Sequence, residues 1–512
     1  MTLYTGLRAR AATSGNRLAI ISDRGTRTYS ELTENVGRVM HGLRFEMQLY
    51  PDARIAIWGW NSLEWAEAFL AAMSLGMNCF PINPEWTATE AAEALTALDI
   101  QLLICDTELA ARAQAVRERT PGLHHMLLLQ EGPGRTLEGL REGVPSDWES
   151  QLESAHQPGV YTLFTSGTTG GRYKAVMRKK TSRPIMGANF TMEGLFELDE
   201  RDRMMVATPL FHGNALSALV VALGFGGSIM FPRRFSASRF WSMVDCYRPT
   251  FLFTLMPIIN ILMSLPVSGA ERRNPFEKIL ALGIAPYAEA VEQRYGVKAI
   301  DWYGSSEIGG AVYTPLHEQR PAGSTGKTLP GVVMHILRSD RSVCAPGEVG
   351  EVAFPLDTLE FSEYGGNEAA TSEAIRDGYF MSGDMAYVDE NGWFFFVDRI
   401  KDIVRRGGEN ISSIEVETVL FEHPAISEIA IVPRPDPVLG ERVTAFIVPF
   451  EGASAPTIDE LQAFVGDRLS SFKLPDLIIE VDELPRTENG KIKKAVLKEQ
   501  LIGSAGTQTA AA

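Results

Sequence analysis

Short apolar runs alternate along this chain with longer stretches whose apolar side chains return every three or four residues. The first pattern suits strands buried on both faces, the second helices packed over them. Residues 54–58, 102–105 and 126–129 read as such strands. Thr28 with Glu31 has the form of a capping box opening a helix toward Leu43. Asn61 or Ser62 caps a helix carrying Leu63, Ala66, Phe69, Leu70 and Met73. Residues 215–231 carry no charge and approach the length that spans a bilayer. Gly224, Gly226 and Gly227 interrupt them, so the run divides into a buried helix, 215–223, and a strand, 228–231. Residues 130–159 are polar and rich in Gly, Pro and Glu, and read as a surface connection. Residues 504–512 read as a disordered tail.

The pattern restarts near residues 398–402. A helix at 414–420, strands at 426–433 and 443–449, and a helix at 461–469 make up a second unit of ordinary domain size. The expected organisation is α/β: a large N-terminal domain of layered sheets and helices, 1–398, and a small α+β C-terminal domain, 399–512.

Composition narrows the function. The chain has 512 residues, 45% of them hydrophobic, enough for more than one core. Its formal net charge of -16 argues against a nucleic-acid or anionic-membrane partner. An anionic small ligand then needs local cations, so single Lys and Arg residues in clefts gain weight. Cys79, Cys105, Cys246 and Cys344 are scattered, with no Cys-x-x-Cys pair. They read as buried free thiols, not as a zinc site or a disulfide framework. Residues 1–16 lack the apolar centre of a secretory signal, so a cytoplasmic location is expected.

The chemistry begins at Thr165-Ser166-Gly167-Thr168-Thr169-Gly170, followed by Lys174. It comes directly after the apolar run 160–164. Hydroxyls and backbone N–H groups in such a loop can surround phosphate, glycines permit close approach, and the lysine supplies countercharge. It is not a Walker loop, whose spacing is absent. Further along come Asp301-Trp302-Tyr303-Gly304-Ser305-Ser306-Glu307 and Tyr379-Phe380-Met381-Ser382-Gly383-Asp384. Then follow Gly392-Trp393-Phe394-Phe395-Phe396-Val397-Asp398-Arg399-Ile400-Lys401-Asp402 and Leu484-Pro485-Arg486-Thr487-Glu488-Asn489-Gly490-Lys491-Ile492. In this order and spacing the chain resembles the adenylate-forming superfamily of acyl-CoA synthetases, luciferases and peptide-synthetase adenylation domains.

The resemblance runs from Thr28 to Lys491, and it implies roles. ATP activates a carboxylic acid as acyl-AMP, and coenzyme A then displaces AMP. Thr165 to Gly170 and Lys174 would hold the phosphates, Glu307 would hold Mg²⁺, and Tyr303 would lie against adenine. Asp384 and Arg399 would contact the ribose. Lys491 would reach the carboxylate and α-phosphate during adenylation. Lys401 would be the hinge about which the small domain swings between half-reactions. His212 and Gly283 would border the acyl group. Gly309 and Gly310 would leave room in its pocket, which hints at a bulky or long acyl chain. Gly407 and Gly408 would let the pantetheine arm of CoA pass, with Arg405 and Arg406 available to its phosphates. The implied partners are the acid and CoA, with no nucleic acid and no membrane span; a homodimer is left open.

One departure stands out. Where the family loop runs on as x-Pro-Lys-Gly-Val, this chain has Gly171-Arg172-Tyr173-Lys174-Ala175-Val176. Either Tyr173 takes the lysine's place or an extra glycine keeps Lys174 in register, and the alignment of Val176-Met177 favours the second; the added residue, the lost proline and Ala175 are expected to weaken the adenylation half. Two competing readings follow: a relative that takes acyl-AMP made elsewhere, and a non-catalytic acyl- or nucleotide-binding protein of the same fold.

Overall fold

A computed structural model describes residues 3–152, 159–165, 174–179, 190–407, 409–466, 468–487 and 490–508. Two parallel sheets form the body of the large domain. The first orders its strands Lys298–Ile300, Lys278–Leu282, Phe251–Leu255, Arg203–Val206, Ser228–Phe231 and Leu18–Ser22, and closes with the antiparallel edge strand Gly25–Thr28. The second runs His125–Leu128, Leu102–Cys105, Arg54–Trp58, Asn78–Ile82 and Val160–Tyr161. Phe251–Leu255 is buried at every residue, as a strand covered on both faces must be.

The local signals act as their chemistry requires. Thr28 and Glu31 exchange bonds in a full capping box at the start of helix Tyr29–His41. Ser62, not Asn61, caps helix Leu63–Ser74; the Asn61 amide instead donates to the carbonyls of Thr208 and Pro232. The apolar run divides into helix Gly213–Phe225 and strand Ser228–Phe231, with Gly226 at φ +87 between them. No helix among the described residues is long and apolar enough to cross a membrane.

Several expectations need correction. The polar connection after residue 130 carries helices Leu137–Glu142 and Trp148–Gln151, which bury Leu137, Leu140 and Trp148. The Trp148 ring fills a notch at Gly37, where an added Cβ would lie 2.3 Å from it. One large apolar side chain anchors a segment whose composition reads as surface. The helix expected at 461–469 spans Ile458–Val465 and ends at Gly466, whose φ of +59 suits glycine. The C-terminal helix runs Lys494–Gln508, into the stretch expected as tail. Cys79 and Cys105 are buried, but Cys246 is exposed and Cys344 only half-buried.

Two further sheets carry the site. A three-stranded antiparallel sheet joins Leu163–Thr165, Lys174–Arg178 and Phe361–Gly365. An eight-stranded sheet, with antiparallel pairings throughout, includes Trp302–Ser305, Gly309–Tyr313, Tyr379–Val388 and Trp393–Arg399. Past Arg399 the chain enters a separate five-stranded sheet containing the hairpin Ile426–Asp436 and Gly440–Pro449. That sheet packs its own core around Val404, Ile431, Val443 and Leu461.

Candidate active site

Strand pairing sets one wall. Thr165 lies opposite Lys174, so the two strands bring the ends of the glycine-rich loop together. Ser166, Gly167, Thr168, Thr169 and Gly170 lie outside the described residues, as do Gly171, Arg172, Tyr173 and Gly408. The Lys174 ammonium rests 4.8 Å from the centre of the Tyr364 ring. The other end of that ring, the Tyr364 hydroxyl, donates to Glu307 Oε1 at 2.8 Å.

Glu307 sits in the turn between Trp302–Ser305 and Gly309–Tyr313. Ser305 Oγ donates to its second oxygen at 2.8 Å. Arg178 Nη2 donates to the preceding carbonyl, Ser306 O, at 2.8 Å. Each carboxylate oxygen is therefore held by one hydroxyl, Arg178 ties the turn at its backbone, and each oxygen keeps lone pairs for a further ligand. The hairpin depends on glycine where its strands touch. A Cβ on Gly304 would lie 2.1 Å from Gly309 O. Gly304→Ala is expected to cost about 1–3 kcal/mol of stability, read as a lower midpoint of chemical unfolding; an unchanged midpoint would show that the hairpin yields. Gly309 is open and at φ +70. Gly310 is not open: a Cβ there would meet the Trp302 ring at 2.0 Å. The expectation of pocket space at Gly310 is thus replaced by close aromatic packing.

Sheet register gathers the next group. Asp384 and Arg399 are Cα partners on neighbouring strands, and Arg399 Nε lies 3.2 Å from Asp384 Oδ1. The Tyr303 hydroxyl donates to Asp384 Oδ2 at 2.8 Å, while its ring packs 5.0 Å from Phe394 and 6.1 Å from Phe396. Burial raises the Asp384 carboxyl above its usual range, against the lowering pull of Arg399 and the Tyr303 hydroxyl.

A buried acid that sequence reading left without a role orders the loop beside this group. Asp301 accepts N–H bonds from Gly283 at 2.8 Å, Ala285 at 3.0 Å and Trp302 at 2.7 Å. Burial pushes its carboxyl up to about 6, although those N–H bonds lower it. Gly283 has φ +84, a conformation that favours glycine, as the chain turns out of strand Lys278–Leu282.

The small domain brings its lysine to the same place. An added Cβ on Gly490 would come within 3.0 Å of Pro257 in the large domain. Lys491, next in the chain, keeps an exposed surface, yet protein crowds its cleft side. Lost solvation, Arg399 and Lys401 lower its ammonium to about 8, while Asp384 and Glu307 oppose the shift. His212 precedes helix Gly213–Phe225 with its ring 4.1 Å from Phe211. Burial, with the Lys491 charge beyond, pushes its imidazole down to about 3 and keeps it neutral.

Lys401 lies in the turn after strand Trp393–Arg399, and its carbonyl accepts from Lys498 Nζ at 2.5 Å. Beside it, buried Asp398 accepts from the Ser413 N–H at 2.6 Å and the Ser413 hydroxyl at 2.8 Å. Lys494 donates to Ser413 Oγ at 2.6 Å and pairs with Glu417 at 2.7 Å. Gly407 turns a hairpin of the small domain, and its N–H donates to Leu439 O. Arg406, expected as a candidate for CoA phosphates, is engaged within its own domain by Asp476 at 2.7 Å and by Phe472 O.

The comparisons agree with this architecture. The chain is 29% identical to an oxalate–CoA ligase of Arabidopsis thaliana over 497 residues, 95% of this chain and 96% of that one. It is 30% identical to a feruloyl-CoA synthase of an Amycolatopsis species, covering 96% and 97%. Its fold matches the anthranilate CoA ligase AuaEII in complex with anthranoyl-AMP, at TM-score 0.88, 21% identity and coverage of 99% and 98%. A model of the AMP-binding enzyme family matches residues 7–355, and one of the AMP-binding enzyme C-terminal domain matches residues 415–491. The chain belongs to the AMP-binding enzymes, within the acyl-CoA synthetase branch of the adenylate-forming superfamily.

Proposed function

We propose that this protein joins a carboxylic acid to coenzyme A in two steps, with the acyl-AMP anhydride between them. In the first, a carboxylate oxygen attacks the α-phosphorus of ATP and pyrophosphate leaves. In the second, the CoA thiolate attacks the acyl carbon and AMP leaves. The observation that supports the reading is Gly490 of the small domain against Pro257 of the large one, which sets Lys491 where Glu307, Asp384 and Arg399 act on its charge.

Each group has work suited to its chemistry. Asp384 and Arg399 offer an acceptor and a donor for vicinal ribose hydroxyls. Tyr303 supplies a flat face for adenine. Thr165 and Lys174 stand at the two ends of the loop assigned to the phosphates. Glu307 suits Mg²⁺, which is commonly held by one or two carboxylates together with substrate phosphates. Bound there, the ion would neutralise phosphate charge. The Lys491 cation stabilises the charge that builds as the anhydride forms. Neutral His212, together with Gly283, borders the acyl group. Gly407 and Gly408 serve the CoA arm once the small domain has turned about Lys401.

Acid-dependent exchange of labelled pyrophosphate into ATP, over a panel of carboxylic acids, tests the first step; CoA consumption tests the second. The altered loop Gly171-Arg172-Tyr173 favours one rival, an enzyme that accepts supplied acyl-AMP. Thioester formation from synthetic acyl-AMP with no exchange under any acid would establish that rival.

The Lys491 shift predicts a pH profile. The protonated ammonium is the working form, so kcat/KM for ATP in adenylation is expected to fall as pH rises through about 8. Lys491→Arg keeps its charge throughout and moves that limb upward. A limb that Arg leaves in place belongs to another group.

A further inference from the structure

Tyr364 belongs to none of the sequence motifs, yet it touches both the lysine of the glycine-rich loop and the acid of the Glu307 turn. Its ring lies 4.8 Å beneath the Lys174 ammonium, and its hydroxyl donates to Glu307 Oε1 at 2.8 Å. The side chain is itself fixed. It is 7% exposed, packs edge-on against Phe361 at 5.1 Å, and its backbone N–H donates to Thr371 Oγ1 at 3.0 Å. Few rotamers remain open to it.

We propose that Tyr364 is the positioning residue of the nucleotide site, setting Glu307 with its hydroxyl and Lys174 with its ring face. The two charges it touches are opposite in sign. Left to themselves, a lysine and a glutamate at the edge of one cleft tend to pair, and a paired lysine is a weak phosphate ligand. The ring gives the ammonium a favourable seat that is not an anion. The hydroxyl satisfies one Glu307 oxygen while leaving lone pairs on it. Burial and the nearby Glu307 raise the phenol, so it stays a donor throughout the working range. Ser305 fixes the second oxygen, but it comes from the same turn as Glu307. Tyr364 comes from a different sheet, so it alone of the two ties that turn to the strand bearing Lys174.

The inference rests on the ATP reading above, and the test separates the two. Calorimetric titration of the full-length protein with Mg·ATP measures affinity without turnover. Tyr364→Phe keeps the ring and removes the hydroxyl. It is expected to weaken binding about tenfold, the usual scale for losing a hydrogen bond to a charged group. In a Glu307→Ala background the same change is expected to cost less than about twofold, because a residue acting through Glu307 then has no carboxylate left to position. Tyr364→Leu, which also removes the seat of Lys174, is expected to bind more weakly than Tyr364→Phe. Equal losses in the two backgrounds, or wild-type affinity in Tyr364→Phe, would overturn the role of the hydroxyl. Equal affinity of the Leu and Phe variants would overturn the role of the ring. A wild-type protein that binds no Mg·ATP would overturn the nucleotide reading itself.

Discussion

Lys491→Ala is expected to lower acid-dependent adenylation by about 10²–10³-fold, the usual scale for removing a preorganised charge from a reacting group. Conversion of supplied acyl-AMP to acyl-CoA is expected to stay within about threefold of wild type, since a residue used in one transition state is missed only there. The division follows from where the lysine is attached. It rides on the small domain and reaches the cleft only when that domain stands as it does here, with Gly490 against Pro257. Its surroundings hold Asp384 and Glu307 as well as Arg399 and Lys401. The balance suits a cation that must meet a ligand anion and not be claimed by protein carboxylates. Measuring both half-reactions on one preparation decides the matter: equal losses would assign Lys491 a structural part.

Lys401→Pro is expected to leave pyrophosphate exchange within about threefold and to reduce overall thioester formation by about 10²-fold or more, as hinge changes can when a conformational step gates turnover. Proline fixes φ near −65° at the residue proposed as pivot, and it pushes Ile400 out of the helical region. The pose expected to survive is the one seen here, with Gly490 against Pro257. Full overall turnover in a folded variant would move the pivot elsewhere. Single-turnover mixing of the variant with acyl-AMP and CoA locates the block directly.

The sequence made the framework readable because its signals were local. A five-residue apolar run at 54–58 specifies a strand of the same bounds, Arg54–Trp58. Thr28 and Glu31 cap a helix by contacts three residues apart. Tyr303, Asp384, Arg399 and Lys491 drew notice because each lies in a run of unusual composition, and the fold gathers them. Tyr364 and Arg178 drew none, and Asp301, at the head of a motif, was given no role, because their contacts exist only between elements distant in the chain. Asp301 is a site residue through backbone N–H groups that carry no side-chain signature. The segment after residue 130 misled for the opposite reason: its composition is polar, but a few contacts of Leu137, Leu140 and Trp148 decide its place. Gly310 shows the same limit, since only the position of Trp302 reveals why a side chain has no room there.

The bonds at Asp398 bear on timing. Asp398 precedes Lys401, whereas Ser413, Lys494 and Glu417 follow it. With Lys401 as pivot, any swing pulls the Ser413 N–H and hydroxyl away from a carboxylate that is 1% exposed. The Arg399 N–H at 2.7 Å stays with Asp398, but the two bonds from Ser413 have to break before the swing can begin, and breaking them costs free energy. If Lys401 is the pivot, these bonds act as a latch on the pose seen here, and leaving it is an activated step. Loosening this latch with Ser413→Ala would shorten the dwell in that pose without touching a single group that meets substrate.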